Sequence, residues 1–255
     1  MKILCWNVNG LRAVHSKGLF LDWFLKEKAD IVCVNETKSQ IDQIPDELKN
    51  ISGYYSYFSS AEKKGYSGTG LWTKINPIKT SFELGTKKFD NEGRLIRADF
   101  KDFILLNVYF PSGGMSEERL KFKLDYYDAF LEYLLQLKKK DKKIILTGDI
   151  NTAHKEIDLA QPQQNENETG FLPVERAWID KLVKNGFIDT FRMFEKEGGN
   201  YTYWDYRMLS RERNIGWRLD YFFVSENLKD KVKSSYIQKD VLGSDHCPIC
   251  LEIQI

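Results

Sequence analysis

Short apolar runs of strand length recur along the chain, separated by polar turns. They fall at 2–8 (KILCWNV), 31–35 (IVCVN), 54–58 (YYSYF), 69–75, 94–100, 103–110 (FILLNVYF), 143–147 (KIILT), 219–225 (LDYFFVS) and 248–254. Their length and their content of β-branched and aromatic residues predict strands. Three stretches carry the helical period instead. Residues 19–28 place Leu19, Phe20, Trp23 and Phe24 on one face, and residues 117–139 repeat Leu120, Leu124, Tyr127, Leu131, Leu134 and Leu135. Ser116 is placed to cap that second helix, with Glu117 and Glu118 at its positive end and Lys138 to Lys140 at its negative end. Residues 174–185 form the third, stopped by Gly186. Many strands and few helices predict sheets packed face to face with helices outside, a layered α/β sandwich. No linker rich in Pro, Gly and Ser divides the chain, so residues 1–255 read as one domain. The polar run 161–169 reads as a loop, and the basic run from Lys138 to Lys143 as a solvated helix end.

Composition narrows the partners. The 255 residues are 42% apolar, enough for a large core. Lys and Arg (38) nearly balance Asp and Glu (37), so a nucleic-acid partner must be met by a local basic surface. No run approaches the length of a membrane span. The stretch Trp6-Asn7-Val8-Asn9-Gly10 interrupts any signal-peptide core. The expectation is a cytoplasmic protein, nucleoid-associated or nuclear in a eukaryote, with no membrane partner and working as a monomer. Cys247 and Cys250 form a C-x-x-C without a second pair to complete a zinc site. Strand positions three apart face opposite ways, so all four cysteines are expected to be inert.

Five stretches end or leave a strand with polar groups: Asn7 and Asn9, Asn35 and Glu36, Tyr109, Asp149 and Asn151, and Asp245-His246, which is expected to open the last strand. Burying such groups unpaired costs several kcal/mol, and strand ends of α/β folds are where sites assemble. Each has a bland alternative. Glu36 has Lys38 to pair with at the surface, Asp220 has Arg218, Tyr109 can sit in the core, and Asp245-His246 can be a solvated turn. Together they supply carboxylates, amides, a phenol and an imidazole without a nucleophilic Ser or Cys. That set suits a hard cation such as Mg²⁺ and a water nucleophile attacking a phosphate ester.

At this point the residues reach a family. The ordered motifs WNVNGLR (6–12), NETK (35–38), YFPSG (109–113), GDINTAHKEIDLA (148–160), GFLPVERAW (170–178), NIGWRLDYF (214–222) and GSDHCPI (243–249) closely resemble the exonuclease III family of apurinic/apyrimidinic (AP) endonucleases, from residue 3 to residue 254. The resemblance implies a four-layer α/β sandwich of two mixed six-stranded sheets, the DNase I-like fold. It implies Mg²⁺-dependent hydrolysis of double-stranded DNA on the 5′ side of abasic sites, leaving a 3′-hydroxyl, with Mn²⁺ able to substitute. Exonuclease or repair activity at 3′ ends, and incision at damaged bases, also occur among such enzymes.

Carried over residue by residue, Glu36 matches the main metal carboxylate, and Asn9 and Asp245 match neighbours completing the metal environment. Asp149 matches the group that activates water or protonates the leaving group, Asn151 positions the nucleophile and Asn7 braces Asp149. Tyr109 matches a phosphate contact, His246 the imidazole on the scissile phosphate, and Asp220 its carboxylate partner. A carboxylate on one imidazole nitrogen fixes the tautomer independently of any resemblance. Three positions depart from the usual pattern: Asn35 for Gln, Ser112 for Asn, and Asn9 for the Asp of some eukaryotic relatives.

DNA contacts are expected where basic and aromatic residues interleave: Tyr203, Arg207, Arg211 and Trp217, with a smaller version at Lys63, Lys64 and Tyr66. By resemblance Tyr203, Trp217 and Leu219 line the pocket for an abasic sugar. Two other readings compete. A metal-dependent phosphatase or phospholipase of the same fold would not need the 201–218 stretch. A non-catalytic DNA-binding module should have lost one of Glu36, Asp149, Asn151, Asp220 or His246, and all five remain.

Overall fold

The computed structural model describes residues 1–114 and 116–255. Two six-stranded sheets form the frame. The first runs β11 (Val232–Ile237), β12 (Ile249–Ile253), β1 (Lys2–Asn7), β2 (Ile31–Asn35), β4 (Thr69–Thr73), β3 (Tyr55–Ser59). The second runs β5 (Lys79–Ser81), β6 (Leu95–Asp99), β7 (Ile104–Val108), β8 (Ile144–Asp149), β10 (Asp220–Ser225), β9 (Phe187–Asp189). Each sheet is mixed: β1–β2 and β7–β8 are parallel pairs within otherwise antiparallel neighbours. The two orders repeat one plan, with a parallel pair at the centre, consistent with duplication.

Side-chain alternation explains the layers. On β1, Ile3 and Cys5 face the second sheet, where they meet Leu105, Ile145, Phe222 and Val224. Leu4 and Trp6 face outward and are covered by Phe20, Trp23 and Phe24 of the helix Leu19–Glu27. On the far side Leu106 and Leu146 lie beneath Tyr126, Tyr127 and Phe130 of the helix Glu117–Lys138 and Trp178 of the helix Pro173–Lys184. Central strands are thus buried on both faces, which is why they read as unbroken apolar runs. The four-layer sandwich is the expected one.

The differences sit at the edges. Strands β5, β9 and β11 escape the sequence pattern. All three are edge strands that are short or carry outward polar groups, as KTS and VKSSYI do. The short helix Leu11–Ser16 also lies outside the expected elements. On the long helix the buried stripe is Lys123, Tyr126, Tyr127, Phe130, Leu134 and Leu137, which shares only Tyr127 and Leu134 with the expected ladder. Leu120, Leu124, Leu131 and Leu135 flank it half-buried, because the larger aromatics fill the space over β7 and β8. Leu19 is exposed rather than on the buried face. Ser116 caps the helix as expected, accepting from Arg119 N. Cys5, Cys33, Cys247 and Cys250 are all free and buried, and Cys247 and Cys250 enter different apolar clusters. The last strand starts only at Ile249, so Asp245 and His246 lie in the loop before it, with His246 bridged to Tyr203.

Parity also positions the polar groups. Continuing each strand's inner face to its end gives Asn7 after Ile3 and Cys5, Asn35 after Ile31 and Cys33, and Asn107 after Leu105. The same step gives Asp149 after Ile145 and Thr147, and Asp220 before Phe222 and Val224. All converge on one end of the core between the sheets.

Candidate active site

Buried amides brace this end. Asn7 Nδ2 donates to Asp149 Oδ2 and to Glu36 Oε1, both at 2.9 Å. Asn35 Oδ1 accepts from Asp149 N at 2.9 Å, while its Nδ2 donates to Asn107 Oδ1 at 2.9 Å. Asn107 Nδ2 in turn reaches Gly70 O. The shorter Asn35 therefore still spans the two sheets. Asn9, Glu36, Lys38 and Asn151 all have positive φ, and Glu36 (φ 55°) and Lys38 (φ 49°) are residue types that rarely adopt it. Their turn is held by Gly10 N to Glu36 O (2.8 Å) and Lys38 N to Ser67 O (2.8 Å). Such strain persists where function needs the geometry. At Gly148 a Cβ would lie 1.9 Å from Val108 O, so only glycine lets β8 deliver Asp149 here.

A carboxylate–imidazole pair faces a second carboxylate. His246 Nδ1 bonds Asp220 Oδ2 at 2.7 Å, and His246 Nε2 stands 3.9 Å from Asp149 Oδ2. Burial alone would lower the His246 pKa, but Asp220 foremost, then Asp149, push it up to about 10, so the ring carries both protons near neutrality. Burial, and then the Asp220 charge, push Asp149 up to about 7. Asp149 also accepts from Asn151 N at 2.8 Å. Burial pushes the Tyr109 hydroxyl well up, keeping it a neutral donor, and the Arg94 guanidinium stacks on its ring at 4.7 Å. Burial would raise Glu36, but Lys38 at 2.9 Å, the Asn7 amide and the His246 charge together hold it below its ordinary value.

Two groupings can hold a metal. Asp149, Asp220 and His246 bring ligand atoms within 4.8 Å of one another. In that group, however, Asp220 Oδ2 and His246 Nδ1 are already spent on each other. Glu36 Oε2 and Asn9 Oδ1 instead converge on the Lys38 ammonium, and Asp245 Oδ2 joins through Asn9 Nδ2 at 2.9 Å. Hard oxygens already turned toward one cationic group fit a hard cation better.

These side chains floor a cleft of about 820 Å³. Asn9, Glu36, Tyr109, Asp149, Asn151, Asp245 and His246 open onto it, while Asn7 and Asp220 stand buried behind. Tyr203, Trp217 and Leu219 form one wall. The sequence reading missed Gln161, Gln164 and Asn165 of the polar run, which also line the cleft, and Arg94 as the partner of Tyr109. The Glu36–Lys38 pair, weighed there as a surface alternative, does form, at the cleft. Lys63 and Lys64 are exposed on the loop that abuts Lys38, whereas the Tyr66 hydroxyl is engaged by Arg94 (2.9 Å) and Arg119 (2.7 Å). Arg207 is exposed on the rim, bonded to Asp205. Arg211 is not brought into the cleft. Its guanidinium bonds Ser244 O, Lys239 O and Val241 O and stacks on Trp204, pinning the loop that carries Asp245 and His246.

Arg218 does not pair with Asp220 but with Asp158 (2.7 Å) and Asp189 (2.7 Å). Burial would raise Asp158, yet Arg218 and then Arg192 hold it at about 2. A carboxylate with a depressed folded pKa adds stability above its ordinary value of 3.8 and loses it as pH falls toward 2. Urea unfolding at pH 4 and pH 2 should therefore show the parent losing about 2 kcal/mol more than Asp158→Asn over that window. Equal losses would contradict the ion pair.

A two-sheet α/β sandwich that ends in carboxylates, amides and an imidazolium has the fold and site of a phosphate-ester hydrolase. The family model for the endonuclease/exonuclease/phosphatase family matches residues 4–246. An exodeoxyribonuclease of Bacillus subtilis is 43% identical, the match covering all of both chains. The DNA repair nuclease APEX1 of Danio rerio is 40% identical over all of this chain and 83% of its own length. The solved AP endonuclease of Archaeoglobus fulgidus superposes with a TM-score of 0.91 at 28% identity over the whole of both chains. The chain belongs to the endonuclease/exonuclease/phosphatase family and is a hydrolase of the exodeoxyribonuclease and AP-endonuclease type.

Proposed function

We propose that this single-domain protein is a Mg²⁺-dependent DNA-repair phosphodiesterase that cuts the backbone 5′ to an abasic site and leaves a 3′-hydroxyl. It also trims or repairs 3′ ends, and it works wherever the cell keeps its DNA. The observation that carries this reading is the imidazolium of His246, held by Asp220 and standing 3.9 Å from Asp149 in a cleft of about 820 Å³. His246 Nε2–H and the Tyr109 hydroxyl donate to non-bridging phosphate oxygens, where charge grows in the transition state. Asp149, oriented by Asn7 and Asn151, moves the proton of the attacking water. Glu36, with Asn9 and Asp245, would hold the metal. When bound, the ion supplies charge stabilisation at the phosphate worth several kcal/mol. A solved 3′ phosphatase from Neisseria bound to a product DNA hairpin, TM-score 0.91 and 27% identical, supports work at 3′ ends.

Incubation with matched abasic, intact and nicked duplexes, with and without Mg²⁺, tests the proposal. Cleavage 5′ to the abasic nucleotide that needs the metal is expected, and metal-independent or phosphomonoester-only hydrolysis would sink it. Glu36→Gln should raise the Mg²⁺ concentration needed for half-maximal rate while leaving metal-free DNA binding unchanged, and excess Mg²⁺ should recover part of the rate. Normal cleavage at limiting Mg²⁺ would remove Glu36 from the metal site.

Damage is recognised on the Tyr203–Trp217–Leu219 wall. An abasic sugar has no base to stack and is cheap to swing into a tight pocket. The Trp217 backbone pairs with Tyr203 in both directions at 2.9 Å, whatever its side chain. Trp217→Ala should therefore fold, keep salt-dependent binding to intact duplex and lose discrimination between abasic and base-bearing nucleotides. A variant that melts far lower yet keeps its selectivity would make Trp217 core.

A further inference from the structure

Behind the Asp220–His246 pair lies a small, partly open chamber of about 10 Å³, the size of a single water site, with Phe191 and Tyr236 at its outer side. Arg218, Asp220, Phe222, Ser235, Ile237 and Ile249 line it. Arg218 spends Nε on Asp158 and Nη2 on Asp189, and Asp220 spends Oδ2 on His246. Among the described residues, Arg218 Nη1 and Asp220 Oδ1 have no hydrogen-bond partner, although the two residues are only 1% and 2% exposed. A buried guanidinium N–H and a buried carboxylate oxygen left unpaired are costly. One molecule that accepts from the first and donates to the second satisfies both. The Ser235 hydroxyl, already bonded to Thr190 Oγ1 at 2.8 Å, offers a third contact.

We propose that a structural water in this chamber links Arg218 to Asp220, which makes Arg218 a positioning residue for the pair. The second oxygen of Asp220 is then fixed, so its carboxylate cannot turn away from His246 Nδ1. The imidazolium keeps its Nε2 aimed at the cleft. Asp158 and Asp189 bond Arg218 Nε and Nη2 instead. This inference rests on the catalytic reading of Asp220 and His246.

The test is a cycle on kcat and KM. Arg218→Lys keeps a charge for Asp158 but has no Nη1. Ser235→Thr keeps the hydroxyl and adds a methyl group at the chamber wall, which covers the case in which Arg218→Lys does not fold. Each should lower kcat about five-fold, the worth of one ordinary hydrogen bond, with KM unchanged and no further loss in an Asp220→Ala background. Asp158→Asn should lower the melting temperature and leave kcat unchanged. The downfield Nδ1 proton of His246 in NMR spectra should move in the first two variants and stay in Asp158→Asn. Equal kcat losses with and without Asp220, or no loss in either chamber variant, would overturn the water link alone. An Asp220→Ala enzyme with full kcat would overturn the catalytic reading of the pair, and the link with it.

Discussion

His246→Ala and Asp149→Asn should each cut an abasic duplex about 10²–10⁴-fold more slowly than the parent, while folding and binding DNA normally. That range is what a positioned proton-transfer group contributes. Both side chains sit at the cleft floor, and neither is needed to close a core. His246 contributes a ring over Tyr203 at 4.9 Å, and an amide in place of the Asp149 carboxylate would keep the bond from Asn151 N. Asp220→Ala should lose less than His246→Ala, because Asp220 touches the substrate only through the ring it orients. The double variant should then be little slower than His246→Ala alone. Losses that multiply would mean that Asp220 acts apart from His246, and the 2.7 Å bond between them would be structural. Single-turnover rates at saturating DNA and Mg²⁺ decide this without interference from product release.

The site was more legible than the edges of the fold for a physical reason. Strands between two layers must be apolar on both faces, so a lone Asn or Asp at their end stands out, as Asn7, Asn35, Asp149 and Asp220 do. Parity then puts them on one face, and only tertiary packing reveals that these ends meet. The edge strand β11 has no such constraint, and its Lys233, Ser234 and Ser235 look like loop. Arg211 lies outside the cleft for a related reason. Sequence reports a basic residue among aromatics, but not that three loop carbonyls face it. Arg94 shows the reverse: a buried arginine reads as a strand's polar margin until Tyr109 is found against it. The long helix was placed correctly and its stripe only in part, since leucine periodicity marks a helix without saying that Tyr126 and Phe130 join Tyr127 to fill the larger gap.

Removing half of the ion pair beneath the site should be the most damaging change to stability. Lys123 and Glu175 are wholly buried and join the two outer helices at 2.5 Å. The ammonium also donates to Asn151 O (2.7 Å) and Thr152 Oγ1 (3.0 Å), so it holds the turn that delivers Asp149 and Asn151. Glu175 accepts from Gly170 N (2.6 Å), Leu172 N (3.0 Å) and Thr169 Oγ1 (2.9 Å), fixing the loop beside Trp217. Burial lowers the Lys123 pKa even against the Glu175 charge, so a lone ammonium here would be still costlier. Glu175→Gln should lose about 3–5 kcal/mol, the usual effect of stranding one buried charge, and melt roughly 6–20 °C lower for a domain of this size. Lys123→Met should lose less, because three donors still serve the carboxylate it leaves behind. The double variant Lys123→Met/Glu175→Gln should be more stable than the two losses added together, since no charge is then stranded. It should nevertheless keep a reduced kcat, because nothing replaces the bond to Asn151 O. Simple additivity in urea unfolding, or a Glu175→Gln protein within about 1 kcal/mol of the parent, would show that the pair is screened and that the turn at Asn151 is held by its backbone alone.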